Sequence, residues 1–171
     1  AIWIKELDAA LSERWPHSQA IPREDNFGIA IYSQHAWLQC TPLIFDAEKK
    51  PPSLAADFEL NDDRLRLIAT HAVPPMNRRL WQSRNQHFDQ LARDVATSGA
   101  ERTIVAGDLN CTPWSPWFRA LTKQSGLSNS SWGHGLGISW VPFDWKILGL
   151  PIDHVLVGDE IKVHDRQVGP E

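Results

Sequence analysis

The chain has 171 residues, 42% of them hydrophobic and 22% charged, enough to bury one sizeable core and short for two, so a single domain over residues 1–171 is expected. A formal net charge of -4 with a pI near 6.0 excludes the global basic field with which non-specific duplex binders displace counterions. No apolar run reaches the roughly 18 residues of a membrane-spanning helix and nothing at Ala1 resembles a signal peptide, so the segment is expected to be soluble as it stands.

Residues 1–15 set Ile4, Leu7 and Leu11 at helical spacing between Lys5, Glu6, Asp8, Ser12 and Glu13, which predicts an amphipathic helix ending before Pro16. A sequence that opens inside a helix reads as cut from a longer chain. Residues 16–25 are polar and predicted as a loop. Phe27, Ile29 and Ile31 then alternate with Gly28, Ala30 and Tyr32, the pattern of a strand. Further strands are predicted at residues 36–41 and 54–60, separated by a charged, proline-bearing connection at 46–52. Asn61-Asp62-Asp63 makes a turn, and residues 64–73 form the hairpin partner. Leu65, Leu67, Ala69 and His71 share one face of that strand and Arg66, Ile68 and Thr70 the other, so His71 continues an inward-facing row.

Pro74-Pro75 stops the strand, and Asn77 caps a helix of about five turns running toward Ser98-Gly99. Trp81, Phe88, Leu91 and Val95 are its predicted inward residues. Residues 103–110, TIVAGDLN, follow. Ile104, Val105 and Ala106 read as a strand buried on both faces, and alternation places Asp108 and Asn110 on one side of its end with Leu109 on the other. Strand, helix and strand in this order form a crossover unit, so parallel pairing would bring His71 near Asp108. Ser115 before Pro116 starts a short helix with Phe118, Leu121 and a terminal Gly126. Residues 128–150, rich in Gly, Ser and Trp without a sustained period, are long for a structureless loop and are expected to be functional. Residues 152–157 and 161–164 read as two short closing strands. Cys40 and Cys111 lack metal-ligand spacing and are read as buried free thiols. The 9 tryptophans suggest core packing for most, with some lining a cleft or an apolar-meeting surface.

On spacing alone, a turn accounts for Asp108 and Asn110 as well as a site does, and a lone His71 is more often structural than catalytic. Asp153 is harder to assign to structure, because the apolar segment around it, Ile152 to Val157, would bury a carboxylate that needs a partner such as an imidazole. His154, one residue on, faces away and reads as structural.

Four stretches together resemble the endonuclease/exonuclease/phosphatase superfamily: FGIAIYS at residues 27–33, THAVPP at 70–75, AGDLN at 106–110 and PIDHVLV at 151–157. AGDLN is the most specific, and the others gain weight by arriving in order over nearly the whole chain. The resemblance implies an α/β (α+β) fold, a four-layered α/β/β/α sandwich of two mixed β-sheets flanked by helices, incomplete in this chain. It implies metal-dependent hydrolysis of a phosphoester, with Asp108 holding or deprotonating the attacking water and Asn110 contacting a phosphoryl oxygen. His71 would contact the phosphate or assist the leaving group, and Asp153 would orient a catalytic histidine. Magnesium or manganese, Mg2+ or Mn2+, is the implied cofactor, with Asp108 and Asn110 as hard oxygen ligands.

Two departures qualify the match. The family's metal-binding glutamate precedes the first helix, where this sequence begins, and its Ser-Asp-His triplet follows the late aspartate strand but occurs nowhere here. Glu6 and Glu13 on the helix and His164 without the motif are poor substitutes. The expectation is an enzyme in the intact protein and weak metal binding with little or no turnover by residues 1–171 alone. The substrate is a phosphoester of nucleic acid, phospholipid or a small molecule, for which Trp114, Trp117, Trp132, Trp140 and Trp145 could stack on bases or meet lipid. No obligate protein partner is indicated, a monomer is expected, and a membrane-tethered parent is a further expectation from the TPWSPWF and LGLPIDHVLV segments. The alternative is a non-catalytic binding domain that retains the sandwich.

Overall fold

Apolar alternation before and after the longest helix produces a large sheet with one covered face on each side. In the computed structural model, which describes residues 2–45, 51–135, 137–141 and 149–169, the chain opens with α1 (Ile2–Leu11), β1 (His17–Ile21), β2 (Ile29–Ser33), β3 (Trp37–Leu43), β4 (Ser53–Leu60) and β5 (Asp63–Ala69). It continues with α2 (Arg78–Ser98), β6 (Thr103–Asp108), α3 (Pro116–Ser125), β7 (Ser128–Asn129) and β8 (Asp153–Val157). Six strands lie in the order β3-β4-β5-β6-β8-β7, and β1 and β2 form a separate two-stranded sheet. β5 and β6 run parallel, with Leu67 beside Ile104 and Ala69 beside Ala106, as a crossover through α2 requires. Every other pair is antiparallel, so the large sheet is mixed and the small one antiparallel.

Strand alternation divides the apolar side chains between two cores. Ala55, Ile68, Val105 and Leu156 face the helices and pack with Phe88, Leu91 and Val95 of α2 and Phe118 and Leu121 of α3. Leu54, Ala56 and Phe58 face the other way, against Ile29 and Ile31 of β2. α1 covers the outer side of the small sheet: Tyr32 donates to Asp8 at 2.7 Å, and a Cβ on Gly28 would stand 2.8 Å from Trp3 Cζ2. The result is a layered α+β arrangement of helix, small sheet, large sheet and helix pair.

Several sequence expectations change. Residues 16–25 are not all loop, because His17–Ile21 pairs along its length with Ile29–Ser33, and ladder hydrogen bonds override a polar composition on a half-exposed strand. β5 ends at Ala69, not Val73, although Thr70 N–H still donates to Ala106 O at 3.0 Å and Ala72 N–H to Asp108 O at 2.9 Å. Residues 161–169 form no strand, since β8 already has β6 on one edge and β7 on the other. Trp81 is 40% exposed, not inward, and meets Trp117 edge-on with ring centroids 5.4 Å apart. Within residues 128–150 lie β7 and a bridge between Trp140 and Leu150. Residues 136 and 142–148, with Trp145, are outside the described residues, as is most of the 46–52 connection. Both cysteines are free thiols, Cys111 buried and Cys40 half-buried. Among the described residues no helix is long and apolar enough to cross a membrane.

Candidate functional site

Parallel β5 and β6 end side by side, and their last residues carry the polar groups. Alternation puts His71, Asp108 and Asp153 on the same side of the large sheet, the side facing β1 and β2, while Thr70, Leu109 and His154 face the helices. Gly107 makes the approach possible. It lies at φ +148, and a Cβ there would overlap the carbonyl oxygen of Thr70, so only glycine lets β6 cross so close to the chain leading into His71.

His71 Nε2 and Asp108 Oδ2 are 3.6 Å apart, each side chain 28% exposed. The His71 ring is held from behind by Phe27, with centroids 4.8 Å apart. Asp153 stands directly opposite Asp108 in the antiparallel register of β6 and β8. The Asp108 carboxyl is pushed above the ordinary carboxylate value, first by burial and then by the charge of Asp153, against a hydrogen bond from Asn110 N–H and the attraction of His71. Asn110, itself at φ +46, donates its backbone N–H to Asp108 Oδ1 at 2.7 Å, and its side-chain amide donates to Ala72 O at 2.9 Å. The spacing does form a turn, an Asx turn at a strand end that swings Asn110 back over the chain beyond β5.

Asp153 is anchored through its main chain, its N–H donating to Ser139 Oγ at 3.0 Å and its carbonyl accepting from Arg166 Nη2 at 3.4 Å. No histidine partner of its carboxylate is present among the described residues. His154 is 3% exposed, its Nε2 is 2.8 Å from Cys111 O, and its ring lies on Phe118 with centroids 4.6 Å apart. Burial holds its pKa below the ordinary histidine value.

His71, Asp108 and Asn110 open into a cleft of about 940 Å3, with Arg84 also on its polar side and residues including Phe27 and Trp140 on its apolar side. Arg84 is a residue the sequence reading missed. It is 5% exposed, donates from Nη1 to Asn110 O at 3.0 Å, and donates twice to Asn85 Oδ1, at 3.1 and 2.9 Å. Its position at i, i+4, i+7 and i+11 with Phe88, Leu91 and Val95 was a legible signal, since a charge on an apolar stripe must serve a partner. Ser139, which ties the start of β8, left no such trace.

Asp108 and Asn110 supply hard oxygen donors of the kind magnesium and manganese prefer, and two facing carboxylates favour a cation between them in kind. Number falls short: among the described residues no group of three or more His, Cys, Asp or Glu side chains is placed to hold a metal ion. The set fits part of a coordination sphere and not a whole one.

The model of the Endonuclease/Exonuclease/phosphatase family matches residues 3–171. Among solved structures, a β-hairpin deletion mutant of beta toxin from Staphylococcus aureus superposes with a TM-score of 0.75 at 15% identity, covering 98% of this chain and 74% of that one. Sphingomyelinase C from Streptomyces griseocarneus gives 0.69 at 16% identity, with 91% and 66% covered. The 3'-5' exonuclease NExo from Neisseria meningitidis gives 0.68 at 19% identity, with 88% and 70% covered. A double mutant of the beta toxin has been solved with bound magnesium ions. The chain spans about two thirds to three quarters of the length of these structures. No curated protein matches its sequence significantly.

Proposed function

The chain belongs to the endonuclease/exonuclease/phosphatase family, and from that premise we propose that its cleft hydrolyses a phosphoester, with His71, Asp108, Asn110 and Asp153 as the working residues. The observation that carries the reading is the meeting of His71 and Asp108 at 3.6 Å beside Asn110, at the mouth of a cleft and on the same sheet face as Asp153. Hydrolysis of a phosphoester needs a water in line with the leaving oxygen and relief of charge on the equatorial oxygens. Asp108 is the base for that water: its raised pKa makes its ionised form a better proton acceptor than an exposed aspartate. Asn110, fixed by its bond to Ala72 O, offers its carboxamide to a phosphoryl oxygen. His71, steadied by Phe27, donates to the phosphoryl group or to the departing oxygen. Asp153 holds negative charge beside Asp108 and so helps to keep the base basic.

Magnesium or manganese, when bound, would supply positive charge beside the Asp108 and Asn110 oxygens. Asp108 and Asn110 are two of the roughly six oxygen ligands such an ion takes, and weak binding with little turnover by residues 1–171 alone is part of the proposal. The same observation favours, as a second reading, a domain that binds and does not cleave. A panel of phosphodiesters and phosphomonoesters, offered with magnesium or manganese to the natural full-length protein, separates the two. Metal-dependent release of product that Asp108→Asn abolishes supports the enzyme; no turnover on any ester supports the binder. Robust turnover by residues 1–171 alone would refute the incomplete donor set.

A further inference from the structure

Building on the phosphoester reading, we propose that the substrate is a phosphoester lipid taken from a bilayer surface, and that the rim of Met76, Trp114, Trp140 and Leu150 rests on that surface. All four lie at the end of the molecule where β5 and β6 finish. Met76, Trp140 and Leu150 line the cleft, and Trp114 sits between the lining residues Thr112 and Ser115. Their exposures, 80% for Met76, 53% for Trp114, 46% for Trp140 and 36% for Leu150, are those of side chains projecting from the cleft's edge and not packing into a core. An exposed apolar cluster continuous with a site marks a surface that meets something apolar. Tryptophan and methionine suit the boundary between headgroups and acyl chains, where an amphipathic ring keeps one side wet.

Charge decides between lipid and nucleic acid. A polynucleotide carries phosphates on both sides of the cleaved bond, and proteins that bind it meet them with lysine and arginine. Among the described residues the cleft lining has one cation, Arg84, and its guanidinium is engaged by Asn85 and Asn110. Asp25 and Asp108 line the same cleft, and Asp25 holds the nearby Arg23 at 2.5 Å. Beyond its central phosphoryl position the cleft lining is mostly apolar surface without cations: Phe27, Pro74, Pro75 and Ile152 accompany the rim residues, with Asn26, Thr112 and Ser115 as neutral polar members. A single phosphate with apolar substance beside it matches that lining, and a repeating polyanion does not. With an overall charge of -4, contact with a bilayer would come from apolar insertion and not from attraction to anionic headgroups.

The test is titration of the chain with phosphatidylcholine vesicles whose acyl chains are dibrominated, reading quenching of tryptophan emission. The proposal expects quenching that persists between low salt and about 0.5 M salt, since apolar insertion is not screened. Met76→Asp and Trp114→Ser should each weaken partitioning by about tenfold while leaving the melting temperature in place, because both side chains are exposed. Absence of quenching, binding that disappears with salt, or tighter binding to a single-stranded oligonucleotide than to vesicles would each overturn it. If the natural protein cleaves a small soluble phosphodiester but binds no vesicle, the lipid proposal falls and the phosphoester reading stands. Vesicle binding by a protein that cleaves no phosphoester removes the premise, and the substrate assignment falls with it.

Discussion

Gly107→Ala is the substitution for which the structure gives the sharpest expectation. The new methyl would overlap the carbonyl oxygen of Thr70, a backbone atom that no rotamer change can move aside, at a residue whose φ of +148 a side chain disfavours. Overpacking against fixed structure costs about 1–3 kcal/mol and a disfavoured backbone conformation about 1–3 kcal/mol more. The sum, roughly 2–6 kcal/mol, corresponds to a fall of about 5–20 °C in melting temperature for a chain of this size. Relief requires β6 to move away from the chain beyond β5, which would also part His71 from Asp108. Urea and thermal unfolding of Gly107→Ala are compared with Gly133→Ala, where φ is +85 but nothing lies within 4 Å, so that backbone strain acts alone. Stability of Gly107→Ala within about 0.5 kcal/mol of the wild type, or no worse than Gly133→Ala, would refute the close crossing.

Three further outcomes follow from the site's electrostatics and hydrogen bonds. Because the folded pKa of Asp108 is raised, its ionised form opposes folding: the stability present below the unfolded value is lost as pH rises through the folded one. Asp108→Asn, which keeps an acceptor for Asn110 N–H, should therefore raise stability at pH 7 by about 1 kcal/mol, with the gain shrinking on acidification; a variant less stable than wild type at pH 7 would count against it. His154 shows the opposite linkage. Its pKa is lowered from 6.5 by burial, so the unfolded chain takes up a proton that the folded chain refuses, and stability falls as pH drops below 6.5. His154→Gln should flatten that fall in a pH series of urea midpoints, and an unchanged slope would contradict the assignment. Arg84→Gln strips Asn110 O of a charged donor and should cost about 1–3 kcal/mol, with kcat lowered more than KM is changed and partial recovery in Arg84→Lys. Full activity in Arg84→Gln would remove it as a positioning residue.

Much of the layering was legible because it rests on periodicity. Leu65, Leu67 and Ala69 alternate with Arg66 and Ile68, and that alternation alone assigns them to opposite faces and carries His71 to the side of Asp108. Ser115-Pro116 and Asn77 announced their helices through local capping chemistry, and Gly126 closes α3 at φ +76 as its position suggested. What failed depended on distant partners. His17–Ile21 looks like loop because its outward face is polar, and only the ladder to β2 makes it a strand. Residues 161–164 look like strand, but the sheet edge they would need is already taken. Trp81 lies on the inward stripe yet is half-exposed, with Trp117 of α3 as its edge-on neighbour. In the candidate site, the placement of His71, Asp108 and Asp153 on one face of the sheet could be read from alternation and strand order. The supports could not, because Ser139 and Phe27 reach Asp153 and His71 through tertiary contacts that leave no local pattern.

The central claim is that His71 and Asp108 work as one unit on a phosphoester. A double-mutant cycle on the natural full-length protein measures this directly, using kcat/KM for a phosphodiester with His71→Ala, Asp108→Asn and the pair combined. Each single change should cost about a hundredfold or more, and the double little beyond the worse single, because groups acting on the same proton and phosphoryl oxygen lose their effect together. Losses that multiply as independent factors, or near wild-type turnover in either single variant, would contradict the account.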